Sequence, residues 1–122
     1  MGRRNRTKEL RKADNLFQEG DYIYYKEDEN NRRSLYRVFK VLVFDGFAYH
    51  VTIYEPVKQE PCKKDVESLK VLIMHVPIGP SIEEKAFVFC HKPVTEDEKE
   101  GYYVYLEHMN KKLEAEKTEY SP

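Results

Sequence analysis

Many chemistries leave a recognisable spacing of residues in a chain, and this sequence has few of them. It contains no CxxC, HxxxH or HExxH, so no metal ligands are paired along the chain. It has no glycine-rich phosphate loop, no GxSxG elbow and no dinucleotide fingerprint. Cys62 and Cys90 are too few to build a disulfide framework, which fits a reduced, cytoplasmic protein. No apolar run approaches the ~20 residues that cross a bilayer, and the basic N-terminus has no apolar region behind it, so neither a membrane span nor a signal peptide is expected. Arg6 stands where the myristoylation pattern requires Ser or Thr. Tryptophan is absent, and the net charge of −1 gives no global pull towards nucleic acid or an anionic membrane.

What the chain does have is tyrosine, ten of them, and a strong hairpin signal over residues 34–54, SLYRVFKVLVFDGFAYHVTIY. Two β-rich runs flank Asp45-Gly46, a pair suited to a two-residue turn with both φ angles positive. Such a turn sets Phe44 opposite Phe47, Leu42 opposite Tyr49, Lys40 opposite Val51 and Val38 opposite Ile53. One face then carries Tyr36, Val38, Leu42, Phe44, Phe47, Tyr49, Val51 and Ile53, with Lys40 laying its stem along the apolar surface and its ammonium at the edge. The opposite face, with Leu35, Arg37, Phe39, Val41, Val43, His50 and Tyr54, is mixed and half covered.

Around this hairpin the pattern predicts a basic, disordered arm over 1–6, one domain over 7–117 and a frayed tail over 118–122. A short helix is expected over 7–18, where Leu10, Ala13 and Phe17 share a face, ending at Gly20. The phrase Gly20-Asp21-Tyr22 is similar to the turn that opens the first strand of many small barrels. DYIYYK (21–26) reads as a strand, EDENNRR (27–33) as a polar loop, and EPVKQEPCKKD (55–65) as a loop. LKVLIMHV (69–76) is a strand whose near-continuous apolar run suggests burial on both faces or leaves its faces unassigned, and AFVFCH (86–91) is the fifth strand. Thr95 and Glu98 form a capping box for a helix near 95–116, with Tyr102, Leu106, Met109 and Leu113 as its apolar stripe. The expected fold is α+β: a small, strongly bent antiparallel sheet of about five strands, an SH3-like barrel, with a short N-terminal and a longer C-terminal helix.

Function is weighed among three classes. His50, His75, His91 and His108 fall on four different elements, and the neighbours Cys90 and His91 point to opposite faces of a strand, so no catalytic pair or metal site is expected. No cofactor and no enzyme activity are predicted. A non-enzymatic protein-interaction module fits the tyrosine content, because small barrels expose edges and aromatic grooves to partner chains or to a second copy. Its candidate surface is the mixed face of Leu35, Arg37, Phe39, Val41, Val43, His50 and Tyr54. The alternative is a nucleic-acid-binding barrel. Arg3, Arg4, Arg6, Lys8, Arg11 and Lys12, set against Glu9 alone, would neutralise phosphates, while Tyr22, Tyr24 and Tyr25 with Arg32, Arg33 and Arg37 offer stacking and charge. The acidic C-terminal stretch, eight acids against four bases over 96–119, weighs against that alternative.

Overall fold

The side chain of Asp45, rather than its backbone, makes the central turn. Its Oδ1 accepts hydrogen bonds from the amides of Phe47 and Ala48, both at 2.8 Å, and the Asp45 amide donates to the Ala48 carbonyl at 3.2 Å. The turn therefore spans residues 45–48, with Gly46 alone at positive φ (+97°). In the computed structural model, which describes residues 16–120 and their side chains as far as 115, this turn joins β2 (Tyr36–Phe44) to β3 (Tyr49–Val57). The pairs are Phe44 with Tyr49, Lys40 with Thr52, Phe39 with Ile53 and Val38 with Tyr54, with a bulge between Val41 and Val43. The register expected from a two-residue turn is thus displaced, and with it the expected division of faces. Phe47, assigned above to the apolar face, is 85% exposed.

The other strands are β1 (Asp21–Lys26), β4 (Val71–Ile78) and β5 (Phe87–His91), followed by the helix α1 (Glu96–Tyr120). The sheet is wholly antiparallel, in the order β4-β3-β2-β1-β5. The α+β class and five strands agree with the sequence reading. The sheet is not closed into a barrel, because β4 and β5 are its two edges and do not pair. The helix expected over 7–18 falls mostly outside the described residues, and residues 16–18, which are described, are not helical. Two short 3-10 helices, Lys63–Ser68 and Pro80–Glu84, lie outside the elements expected from the sequence, the first beginning within the expected loop of 55–65.

Both faces of the central strands are buried. On one, Ile23, Phe39, Val41, Tyr49 and Val51 pack with Phe17 and with Ile82 of the second 3-10 helix. On the other, Tyr22, Val38, Tyr54 and Cys90 pack with Val66 of the first. The Tyr49 hydroxyl ties the first layer together: it donates to Glu83 and accepts from the Phe17 amide at 3.1 Å. Burial and then the Glu83 carboxylate hold that hydroxyl protonated, well above the ordinary tyrosine range.

Candidate functional site

The mixed hairpin face does not form one surface. Phe39 and Val41 lie in the first core layer and Tyr54 in the second, while His50 is fully buried beneath α1. Val43 is half-buried and Arg37 pairs with Glu27 at 3.4 Å, leaving Leu35 exposed. Charge substitution at Val41 therefore probes folding, not binding. Of the nucleic-acid candidates, Arg3, Arg4, Arg6, Lys8, Arg11 and Lys12 lie outside the described residues. Arg32 and Arg33 sit on the exposed loop after β1, and Tyr24 on β1 donates its hydroxyl to Glu60, a carboxylate that opposes a phosphate there. Tyr22 is core and Tyr25 stacks on Phe39.

What the fold does assemble is the crossing of α1 over the sheet. Thr95 and Glu98 form the expected capping box: the Thr95 amide donates to Glu98 Oε1 at 2.9 Å and the Glu98 amide to Thr95 Oγ1 at 3.1 Å. The same Glu98 carboxylate takes Lys40 of β2, whose Nζ donates to both oxygens at 2.9 and 3.0 Å and to the Pro93 carbonyl at 3.3 Å. The Lys40 side chain is 2% exposed, so the ammonium expected at an edge is enclosed, 4.9 Å from the Tyr22 ring centre. Burial alone would raise the Glu98 carboxyl, but the Thr95 amide and Lys40 outweigh it and hold it below its ordinary value.

One turn later, Tyr102 and Tyr105 sit over His50 of β3, ring centres 4.7 and 5.2 Å away, and Tyr105 also meets His75 of β4 at 5.0 Å. Gly101 supplies the clearance for this crossing, since a Cβ there would lie 2.9 Å from the His75 Cβ. Under the helix runs a hydrogen-bonded chain. His50 Nε2–H donates to Asp45 Oδ2 at 2.7 Å, and His50 Nδ1 and His75 Nε2 share a hydrogen bond at 2.8 Å, the ring planes parallel within 6°. Burial would raise Asp45, but His50 and the turn amides reverse this and take its carboxyl from 3.8 down to about 2. Burial and the adjacent His50 hold His75 below 6.5. Both nitrogens of His50 are thus engaged by protein, and among the described residues no group of three His, Cys, Asp or Glu side chains could hold a metal ion.

Asp45→Ala strips the buried His50 N–H of its acceptor and the turn of its cap. The expected loss is about 1–3 kcal/mol at pH 7, measured by urea unfolding. The folded pKa is depressed, so the charge contribution of Asp45 is fully present above 3.8 and is lost as pH falls towards about 2. The variant should show a flatter acid limb over that interval.

Beyond His75, β4 is uncovered. Val71, Leu72, Ile73 and Met74 keep 52, 53, 44 and 54% of their surface exposed, which corrects the expectation of a strand buried on both faces. Ile73 and Met74 join His75, Glu100, Gly101 and Val104 around an open hollow of about 490 Å³. The sequence offered one sign of this surface, an eight-residue strand with no charge, but the same sign also describes a central strand. No family model, no curated protein and no solved structure matches the chain.

Proposed function

We propose that this chain is a non-enzymatic protein-interaction module that takes up a partner's β-strand along β4. The observation that carries the reading is the edge position of β4 together with the exposure of residues 71–74. Edge strands ordinarily carry inward-pointing charge, proline, bulges or a covering element, because their free amides and carbonyls template another strand, and of these β4 has register shifts against Val51–Tyr54. Residues 71–76 carry no Asp, Glu, Lys or Arg, and Pro77 interrupts the edge only after them. The other edge, β5, is different: Lys92 just beyond it pairs with Glu67 of the neighbouring 3-10 helix. An SH3-like architecture is supported by the connectivity, four strands in a meander with the last strand returning beside the first. A cytoplasmic setting is supported by two unpaired cysteines, one exposed and one buried.

Affinity capture with the full chain across a salt series, with and without nuclease, tests the reading against Met74→Glu. Met74 is half exposed, so the variant folds, and a carboxylate on the strand should abolish capture that nuclease leaves intact. Capture that vanishes with nuclease or moderate salt and ignores Met74→Glu would instead assign binding to the basic residues of 3–12 and to nucleic acid.

A further inference from the structure

The path of α1 identifies which strand β4 receives. Glu98 stands on β2, Tyr102 on β3, and Gly101 and Tyr105 on β4, so the helix crosses the strands on its way to the sheet's edge. The seven residues from 98 to 105 advance about 10 Å, which matches the two strand spacings of about 4.8 Å between β2 and β4. The helix then continues to Tyr120. Residues 106–120 project about 22 Å past the last strand of their own sheet, with Leu106 and Leu113 of the apolar stripe exposed.

We propose that a second copy of this chain occupies the surface, β4 against β4 in antiparallel pairing about a two-fold axis. This rests on the strand-addition reading above and names its partner. Such an axis, normal to the sheet, continues the sheet beneath each projecting helix and keeps both helices on the same side, running antiparallel. Opposed residues share a face, so the axis passes between two copies of one residue; placed at Ile73, it sets the two His75 residues four positions apart along the paired strands, at most about 13 Å given the register shifts of β4. The two helices then run side by side, wider than the 8–10 Å of direct helix packing, so that side chains and not backbones meet between them. The helix flank turned to the axis carries Val104, His108 and Ala115, spaced by four and seven residues. Val104, which borders the hollow with Ile73 and Met74 of its own chain, then faces the second copy.

Charge fits as well. In the antiparallel helix pair, Glu100 of one copy lies beside Lys111 and Lys112 of the second. Area fits too: Val71, Leu72, Ile73, Met74, Val104 and Leu113 are 44–59% exposed. At roughly 100 Å² each they supply about 600 Å² of the ~800 Å² per partner in a stable interface, before strand backbone and helix flank are counted.

The test is light-scattering mass and sedimentation equilibrium on the full chain, with Met74→Glu and, separately, Val104→Glu. The wild type is expected at twice its 14.6 kDa mass, and each variant at the monomer mass with unchanged circular dichroism, its dimer weakened by about 100-fold or more. Two variants on different elements guard against a local folding defect in either. A wild-type monomer through the micromolar range overturns the second copy. If that monomer still captures another protein in a manner lost in Met74→Glu, strand addition stands with a different partner. If its capture ignores Met74→Glu, both readings fall. A dimer that both variants leave intact places the self-interface elsewhere and also overturns the proposal.

Discussion

Replacing Glu98 by Ala should cost about 3–5 kcal/mol of folding stability, the range for removing one member of a buried ion pair. The cost falls chiefly on Lys40, whose side chain is 2% exposed against 27% for Glu98. Without the carboxylate its ammonium keeps one acceptor, the Pro93 carbonyl at 3.3 Å, and the face of Tyr22. The helix also loses the acceptor for its Thr95 amide, which loosens the turn that aims α1 across the sheet. The Glu98 carboxyl lies below its ordinary 4.5 in the folded chain, so its contribution is complete above that value and disappears as pH falls through the lowered one. Urea unfolding of Glu98→Ala should therefore show a loss at pH 7 that narrows in acid. The double variant Lys40→Met with Glu98→Gln separates charge from packing. It should recover most of the loss, because no uncompensated charge remains. A double variant as unstable as Glu98→Ala would show that the helix cap, and not the buried ammonium, carries the cost.

This pair also marks where the sequence stops being readable. Lys40 was visible as a lone charge on an apolar strand, and Glu98 as one half of a capping box, but 58 residues separate them and nothing local joins them. The elements themselves were legible because each carries its own signal. β1 coincides with DYIYYK, the hairpin runs differ by two or three residues at their ends, and α1 begins just after Thr95 as its cap requires. Register was not legible. Asp45-Gly46 reads as a tight turn, yet Asp45 keeps an ordinary φ and spends its carboxylate on the Phe47 and Ala48 amides and on His50. The displaced pairing that follows exchanges the partners of every β2 residue. Alternation could not correct the error, since strands buried on both faces have no polar face to betray it.

The candidate site was hidden by the same ambiguity. LKVLIMHV carries the apolar run of a central strand and occupies an edge, and only the strand order distinguishes the two. His75 looked like one of four isolated histidines. Its partner His50 lies across the β3–β4 ladder, and the tyrosines that cover the pair come from a helix that follows by a quarter of the chain. The expected stripe of Tyr102, Leu106, Met109 and Leu113 shares only Tyr102 with the face that covers His50; Tyr105 completes that face, while Leu106 and Leu113 are exposed.

Gly20→Ala is the second large effect, and Gly46→Ala is its natural control. Both glycines hold nearly the same φ, +96° and +97°, a region that costs a residue with a Cβ about 1–2 kcal/mol. They differ in what a Cβ would meet. At Gly46 nothing lies within 4 Å, so strain is the whole cost. At Gly20 a Cβ would lie 2.6 Å from the Lys92 carbonyl oxygen and 2.9 Å from His91 Cε1. The carbonyl is backbone and cannot swing aside. It belongs to the segment held to Gly20 by the Lys92 amide, which donates to the Gly20 carbonyl at 3.0 Å, while the Gly20 amide donates to Val41 at 2.8 Å. Gly20 thus clamps the end of β5 and the middle of β2 to the entrance of β1, and relieving the overlap means parting them. Overpacking adds about 1–3 kcal/mol, so Gly20→Ala should lose about 2–5 kcal/mol and Gly46→Ala about 1–2. Hydrogen exchange locates the damage: protection should fall along the β1–β5 pairing in the first variant and stay unchanged there in the second. Equal losses in the two variants would mean that β5 yields at little cost, and that the fold is held by the β1–β4 meander without it.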